Sequence, residues 1–102
     1  MEYDIQQNSD RIDVTITGRL TFKEHGKCRD LIRDLGNMNG SSETIDLTNL
    51  EFIDSAGLGL LLRLKEAAEQ ASRSLSLRIP SEGQVYKMLT VAEFDKMIPF
   101  ES

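Results

Sequence analysis

Thr48-Asn49-Leu50-Glu51-Phe52-Ile53-Asp54-Ser55-Ala56-Gly57-Leu58-Gly59-Leu60-Leu61-Leu62 runs from an apolar stretch straight into a helix start. Leu50, Phe52 and Ile53 lead into Asp54-Ser55, and either Asp54 or Ser55 carries the side-chain oxygen that a helix N-cap needs. The helix is expected to reach about Ala71. At about 100° per residue, Leu60, Leu61, Leu64, Ala67, Ala68 and Ala71 share one stripe, the core face. Gly59, Arg63, Glu66 and Gln70 lie opposite, toward water. Leu58 and Leu62 sit at the margin of the stripe. Either the helix is buried more widely there, or an apolar edge lies exposed beside Ser55 and marks a partner site. Gly57 and Gly59 fall in the first turn, where each costs about 1 kcal/mol against alanine. Close packing of the helix start on a sheet would explain them. So would the approach of another backbone or a ligand.

On the N-terminal side, Tyr3 to Gln7 reads as a strand, Asn8-Ser9-Asp10 as a turn, and Ile12, Val14 and Ile16 alternate with Asp13, Thr15 and Thr17 as a half-buried strand. Thr21-Phe22-Lys23-Glu24 has the form of a capping box, with Thr21 as N-cap. Cys28, Leu31, Ile32 and Leu35 follow with helical spacing, and Gly36-Asn37 stops the helix. His25 falls on the inner side of that helix, as a partly buried structural residue. Thr44 to Leu47 is a strand.

Beyond the long helix, Leu75, Leu77 and Ile79 mark a strand over Ser74 to Ile79. Ser81-Glu82-Gly83-Gln84 is a second capping box, opening a helix with Val85, Met88, Leu89 and Ala92 on its inner face. A short strand near Met97-Ile98 closes the chain. The order is β-β-α-β-α-β-α-β over residues 1–102, read as a single domain. The expected class is α/β, with a mixed, mostly parallel β-sheet and helices.

Lys and Arg total 12 and Asp and Glu 17, a net charge of −5. A phosphate-backbone binder needs a positive surface, so nucleic acid is a poor partner. No apolar run approaches the length of a membrane span, so no membrane insertion is expected. The start of the chain lacks a basic n-region and an apolar run, and with one cysteine, Cys28, a cytoplasmic address is expected.

One His and one Cys make no metal site, and no cofactor is expected. A nucleophile elbow needs glycine two places before its serine, and Ile53 stands there. Gly57-Leu58-Gly59 lacks the third glycine of a dinucleotide loop. These absences read as a binding protein and not an enzyme.

Asp46-Leu47-Thr48, followed by Phe52-Ile53-Asp54-Ser55-Ala56-Gly57-Leu58-Gly59, resembles the signature of STAS domains of the anti-sigma-factor-antagonist type. The element order is also similar to the STAS fold over nearly the whole chain. The resemblance implies that Ser55 is a phosphoacceptor. It places Asp54, Ala56, Gly57, Leu58, Gly59 and Leu62 in the surface that recognises a partner.

It further implies a partner-switching cycle. The unphosphorylated protein binds an anti-sigma factor, which is also a serine kinase with a histidine-kinase-like ATPase fold. A metal-dependent serine phosphatase reverses the phosphorylation. Two positions depart from the pattern. Ala56 stands where antagonists usually carry Ser or Thr, and Thr21 stands where many carry an acid. Other STAS domains are cytoplasmic subunits of membrane transport complexes, including ABC-type lipid systems, and Ala56 suits that role equally.

Overall fold

The strand that organises the molecule is β2. A computed structural model describes residues 1–101. In it β1 (Glu2–Asn8) and β2 (Arg11–Leu20) form an antiparallel hairpin. Ile12, Val14 and Ile16 of β2 are fully buried, and Asp13, Thr15 and Thr17 between them are only half-buried. The period-two pattern therefore sets which face meets the core.

At ten residues, β2 is long enough to hold two further neighbours on one side. β3 (Ser42–Asp46) runs parallel to Arg11–Thr15, and β4 (Leu50–Ile53) runs parallel to Gly18–Leu20. The register shifts between Gly18 and Arg19, where Gly18 takes a φ of +86°. Only glycine adopts that backbone without strain. β5 (Ser74–Arg78) pairs parallel with β3, completing a five-stranded sheet.

Three helices accompany the sheet. Thr21 accepts a hydrogen bond from the Lys23 amide and caps a 3-10 turn over Phe22–Glu24, which runs on into α1 (His25–Gly36). The Glu24 carboxylate does not close a capping box; it lies 3.6 Å from the amino group of Met1. The tighter turn also changes where the helical stripe begins. Cys28, Leu31 and Leu35 are buried, but His25 is exposed, contrary to the inward position expected for it.

α2 (Ser55–Gln70) buries Leu60, Leu61, Leu64 and Ala68. α3 (Gly83–Val91) buries Val85 and Leu89. Leu60, Leu61, Leu64, Val85 and Leu89 join the buried residues of β2, β3 and β5 in one cluster.

The mixed, mostly parallel α/β sheet and the order of elements follow the sequence pattern, with two refinements. Leu50–Ile53 is a short strand of its own. The closing pairing falls at Phe100, opposite Leu77, not at Met97-Ile98. Glu93, with a φ of +54°, breaks the backbone ahead of a 3-10 turn at Phe94–Lys96, and the tail reaches the sheet only after that turn. Among the described residues, no helix is long and apolar enough to cross a membrane.

Candidate functional site

The end of β4 and the start of α2 are fixed from three sides. The Asp54 amide donates to the Leu20 carbonyl at 3.3 Å, tying the turn to β2. The Asp54 side chain accepts from the Gly57 amide at 2.7 Å, so Asp54, not Ser55, is the N-cap. Gln84 reaches across from α3 and pairs with both backbone polar groups of Ile53. With Asp54 doing the capping, Ser55 is the exposed first residue of α2.

The two glycines serve different ends. A Cβ on Gly57 would stand 2.2 Å from the Leu20 carbonyl oxygen and 2.7 Å from Ile53 Cγ1. Gly57 is buried and lets the helix start press onto β2 and β4, so it shapes the site from behind and offers no atom to a partner. Gly59 is exposed, and a Cβ there would meet nothing within 4 Å. Packing gives no reason for it.

At about 100° per residue, Ser55, Gly59 and Leu62 lie within roughly 60° of one another around α2. All three are exposed, Leu62 at 38%. Leu58 and Ala56 are half-buried, and Leu58 packs against the core. The apolar edge beside Ser55 is therefore Leu62, with Leu58 turned largely inward.

A groove opens on the other side of Asp54, lined by Arg19, Thr21, Phe22, Lys23, Glu24 and Phe52 together with Asp54 itself. The Arg19 guanidinium stacks over the Phe52 ring, 4.3 Å from its centre, and Phe22 is 61% exposed. Apart from Asp54, these residues were not singled out from the sequence as site residues. Phe22 directly after a helix cap, where nothing of α1 can cover it, was the available signal. Gln84 was read as half of a capping box, and its S-x-x-Q spacing gave no sign of Ile53.

Cys28 is buried in the core, and burial pushes its thiol up from its ordinary range. Among the described residues, no group of three His, Cys, Asp or Glu side chains is placed to hold a metal ion.

The five-stranded mixed sheet, its three helices and their order are those of the STAS fold. The chain belongs to the STAS domain family: the family model described as "Mlab, STAS domain" matches residues 3–99. A STAS-domain containing protein of Pseudomonas aeruginosa is 29% identical over 86 residues, 84% of this chain and 83% of that protein.

Three solved structures share the fold. An anti-sigma factor antagonist from Mycobacterium paratuberculosis has a TM-score of 0.80 at 17% identity, over 97% of this chain and 83% of that one. The anti-sigma factor antagonist SpoIIAA in its unphosphorylated form has a TM-score of 0.70 at 18% identity, over 99% and 88%. A sulfate transporter family protein from Wolinella succinogenes has a TM-score of 0.72 at 16% identity, over 91% and 78%.

Proposed function

We propose that this chain is an anti-sigma factor antagonist whose binding is switched by phosphorylation of Ser55. One observation carries the reading. Asp54 caps α2, which leaves Ser55 exposed at the helix start, on the same face as the unburied Leu62. In the unmodified state the face of Ser55, Gly59 and Leu62, with Asp54, Ala56 and Leu58 at its edge, docks on an anti-sigma factor. That factor is a serine kinase with a histidine-kinase-like ATPase fold, and a metal-dependent serine phosphatase restores the hydroxyl. The chain acts in the cytoplasm as a binding protein and as the substrate of its kinase.

Phosphorylation adds roughly −1.5 to −2 charges at neutral pH. The helix N-terminus tolerates that charge in the free protein. Docking would strip water from it beside Asp54. A loss of about 2–3 kcal/mol weakens a complex roughly 30- to 150-fold, which is enough for a switch without refolding.

A second reading, a cytoplasmic STAS subunit of a membrane transport complex such as an ABC-type lipid system, has its own support. The matching family model bears the designation Mlab, and a sulfate transporter family protein is among the fold's neighbours. Affinity purification of the tagged chain from its host separates the two. Recovery of a histidine-kinase-like ATPase, lost with Ser55→Asp, supports the antagonist. Recovery of an ABC ATPase that is indifferent to Ser55→Asp overturns it in favour of the transport subunit.

A further inference from the structure

The groove between β2, β4 and the turn before α1 carries two cations to which the fold gives no ion-pair partner among the described residues. The net charge is −5, and most Lys and Arg side chains are paired with carboxylates of the same molecule, such as Arg78 with Asp46 and Glu101, or Lys65 with Glu69. Arg19 and Lys23 form no ion pair among the described residues, and both line this groove.

The two acids that share it are already engaged. Asp54 accepts from the Gly57 amide at the N-terminus of α2, and Glu24 lies 3.6 Å from the amino group of Met1. Thr21, where the antagonist pattern often carries an acid, contributes only a hydroxyl, and that hydroxyl accepts from the Lys23 amide. The groove encloses about 440 Å³ and is open to water.

Its aromatic lining is equally unusual for this molecule. Phe22 is the most exposed of its aromatic side chains, and nothing in the fold requires a phenylalanine there. The Arg19 guanidinium carbon lies over the Phe52 ring, 4.3 Å from its centre, and Arg19 forms no ion pair among the described residues. A guanidinium placed against an aromatic ring keeps N–H donors for a carboxylate, at less cost in side-chain entropy than a free arginine. Lys23 adds a second, mobile positive charge.

We propose that this groove docks an acidic segment of a partner protein. An apolar side chain of the segment covers Phe22, and a neighbouring carboxylate is held by Arg19 and Lys23. The inference rests on the reading of the chain as a protein-binding switch, and it names the chemistry of the surface the partner brings. Asp54 lines the groove and Ser55 follows it, so the groove and the Ser55 face meet at the helix start. A partner that spans both brings a carboxylate close to the position a phosphate would occupy. Repulsion between the two would add to the desolvation cost of the modified state.

The test is a titration of the isotopically labelled full chain, followed by NMR. The probe is a blocked pentapeptide that alternates glutamate with phenylalanine, compared with the same peptide carrying glutamine in place of glutamate. The expected result is a set of shifts centred on Arg19, Phe22, Lys23 and Phe52. Binding should weaken about tenfold or more for the glutamine peptide, for the Arg19→Gln/Lys23→Gln variant, and at high salt. Both side chains are exposed, so the variant's remaining resonances should coincide with those of the wild type.

Equal binding of the two peptides, or shifts that map elsewhere, would overturn the proposal. The outcome is separable from that of the Ser55 switch. A chain that binds the acidic peptide but is never phosphorylated keeps the groove and loses the switch. A chain phosphorylated on Ser55 that ignores the peptide keeps the switch and loses the groove.

Discussion

Gln84 stands beside Ile53 as a neighbouring strand would: its Nε2 donates to the Ile53 carbonyl at 2.6 Å, and its Oε1 accepts from the Ile53 amide at 3.0 Å. One side chain from α3 thus finishes the edge of β4, a single residue before Asp54-Ser55. Backbone polar groups in a part-buried position need such partners.

Gln84→Ala removes both bonds and should destabilise the protein by about 1–3 kcal/mol. Gln84→Glu keeps the acceptor, loses the donor, and should fall between. Urea unfolding measures the cost, and hydrogen exchange at the Ile53 amide should quicken more than at amides of β2. An unchanged exchange rate at Ile53 would refute the pairing.

The two glycines of α2 should respond in opposite directions. Gly57→Ala pushes a methyl group into the Leu20 carbonyl and Ile53, an overpacking that costs typically about 1–3 kcal/mol and more where backbone must shift. Gly59→Ala meets open space and should stabilise by up to about 1 kcal/mol through helix propensity. The urea midpoint reads both. If the face of Ser55, Gly59 and Leu62 docks a partner, Gly59→Ala will gain stability and lose affinity together.

Glu101 carries a stability term with a defined pH window. Hydrogen bonds from Arg78, Thr44 and Ser76, in that order of weight, lower its carboxyl from an ordinary value of 4.5 to about 2. A carboxyl depressed in the folded state stabilises fully above its unfolded value and loses that contribution as pH falls through the folded one. Wild type should therefore lose more stability than Glu101→Gln between about pH 5 and pH 2. Parallel curves for the two proteins over that range would contradict the assignment.

Arg73 and Glu43 form a buried ion pair, 3.3 Å apart, with Arg73 also bonded to the carbonyls of Met38 and Gly40. Burial, partly offset by Arg73, raises the Glu43 carboxyl above its usual range. Arg73→Met strands the carboxylate and should cost about 3–5 kcal/mol at neutral pH. Its sign with pH is opposite to that of Glu101. A carboxyl raised in the folded state takes up its proton more readily there, so the Arg73→Met protein should regain stability as pH is lowered from 8 toward 5. A cost independent of pH would show that Glu43 is not the stranded group.

Features with a clear period were legible in the sequence. Ile12, Val14 and Ile16 alternate and are all buried, and Leu60, Leu61 and Leu64 form the core stripe of α2 as their spacing demands. Features decided by long-range pairing were not. β4 has four residues, too few to show a period beside the helix that follows. Arg73 and Glu43 look like surface charges until the fold brings them together. Gln84 fits a local cap motif, and only the arrival of α3 against β4 gives its amide a better partner.

At the candidate site, the motif drew attention to Ser55, and helical spacing put Gly59 toward water as observed, but neither showed that Gly57 is buried against β2 and β4. The motif was also silent on Arg19, Phe22 and Lys23, which come from a different part of the chain.

The most direct test of the central claim is the intact mass of the protein from its native host, with peptide mapping, for wild type and Ser55→Ala. The account predicts a phosphate on the peptide that contains Ser55, absent from the variant. A Ser55 that stays unmodified through growth, starvation and stress would contradict it.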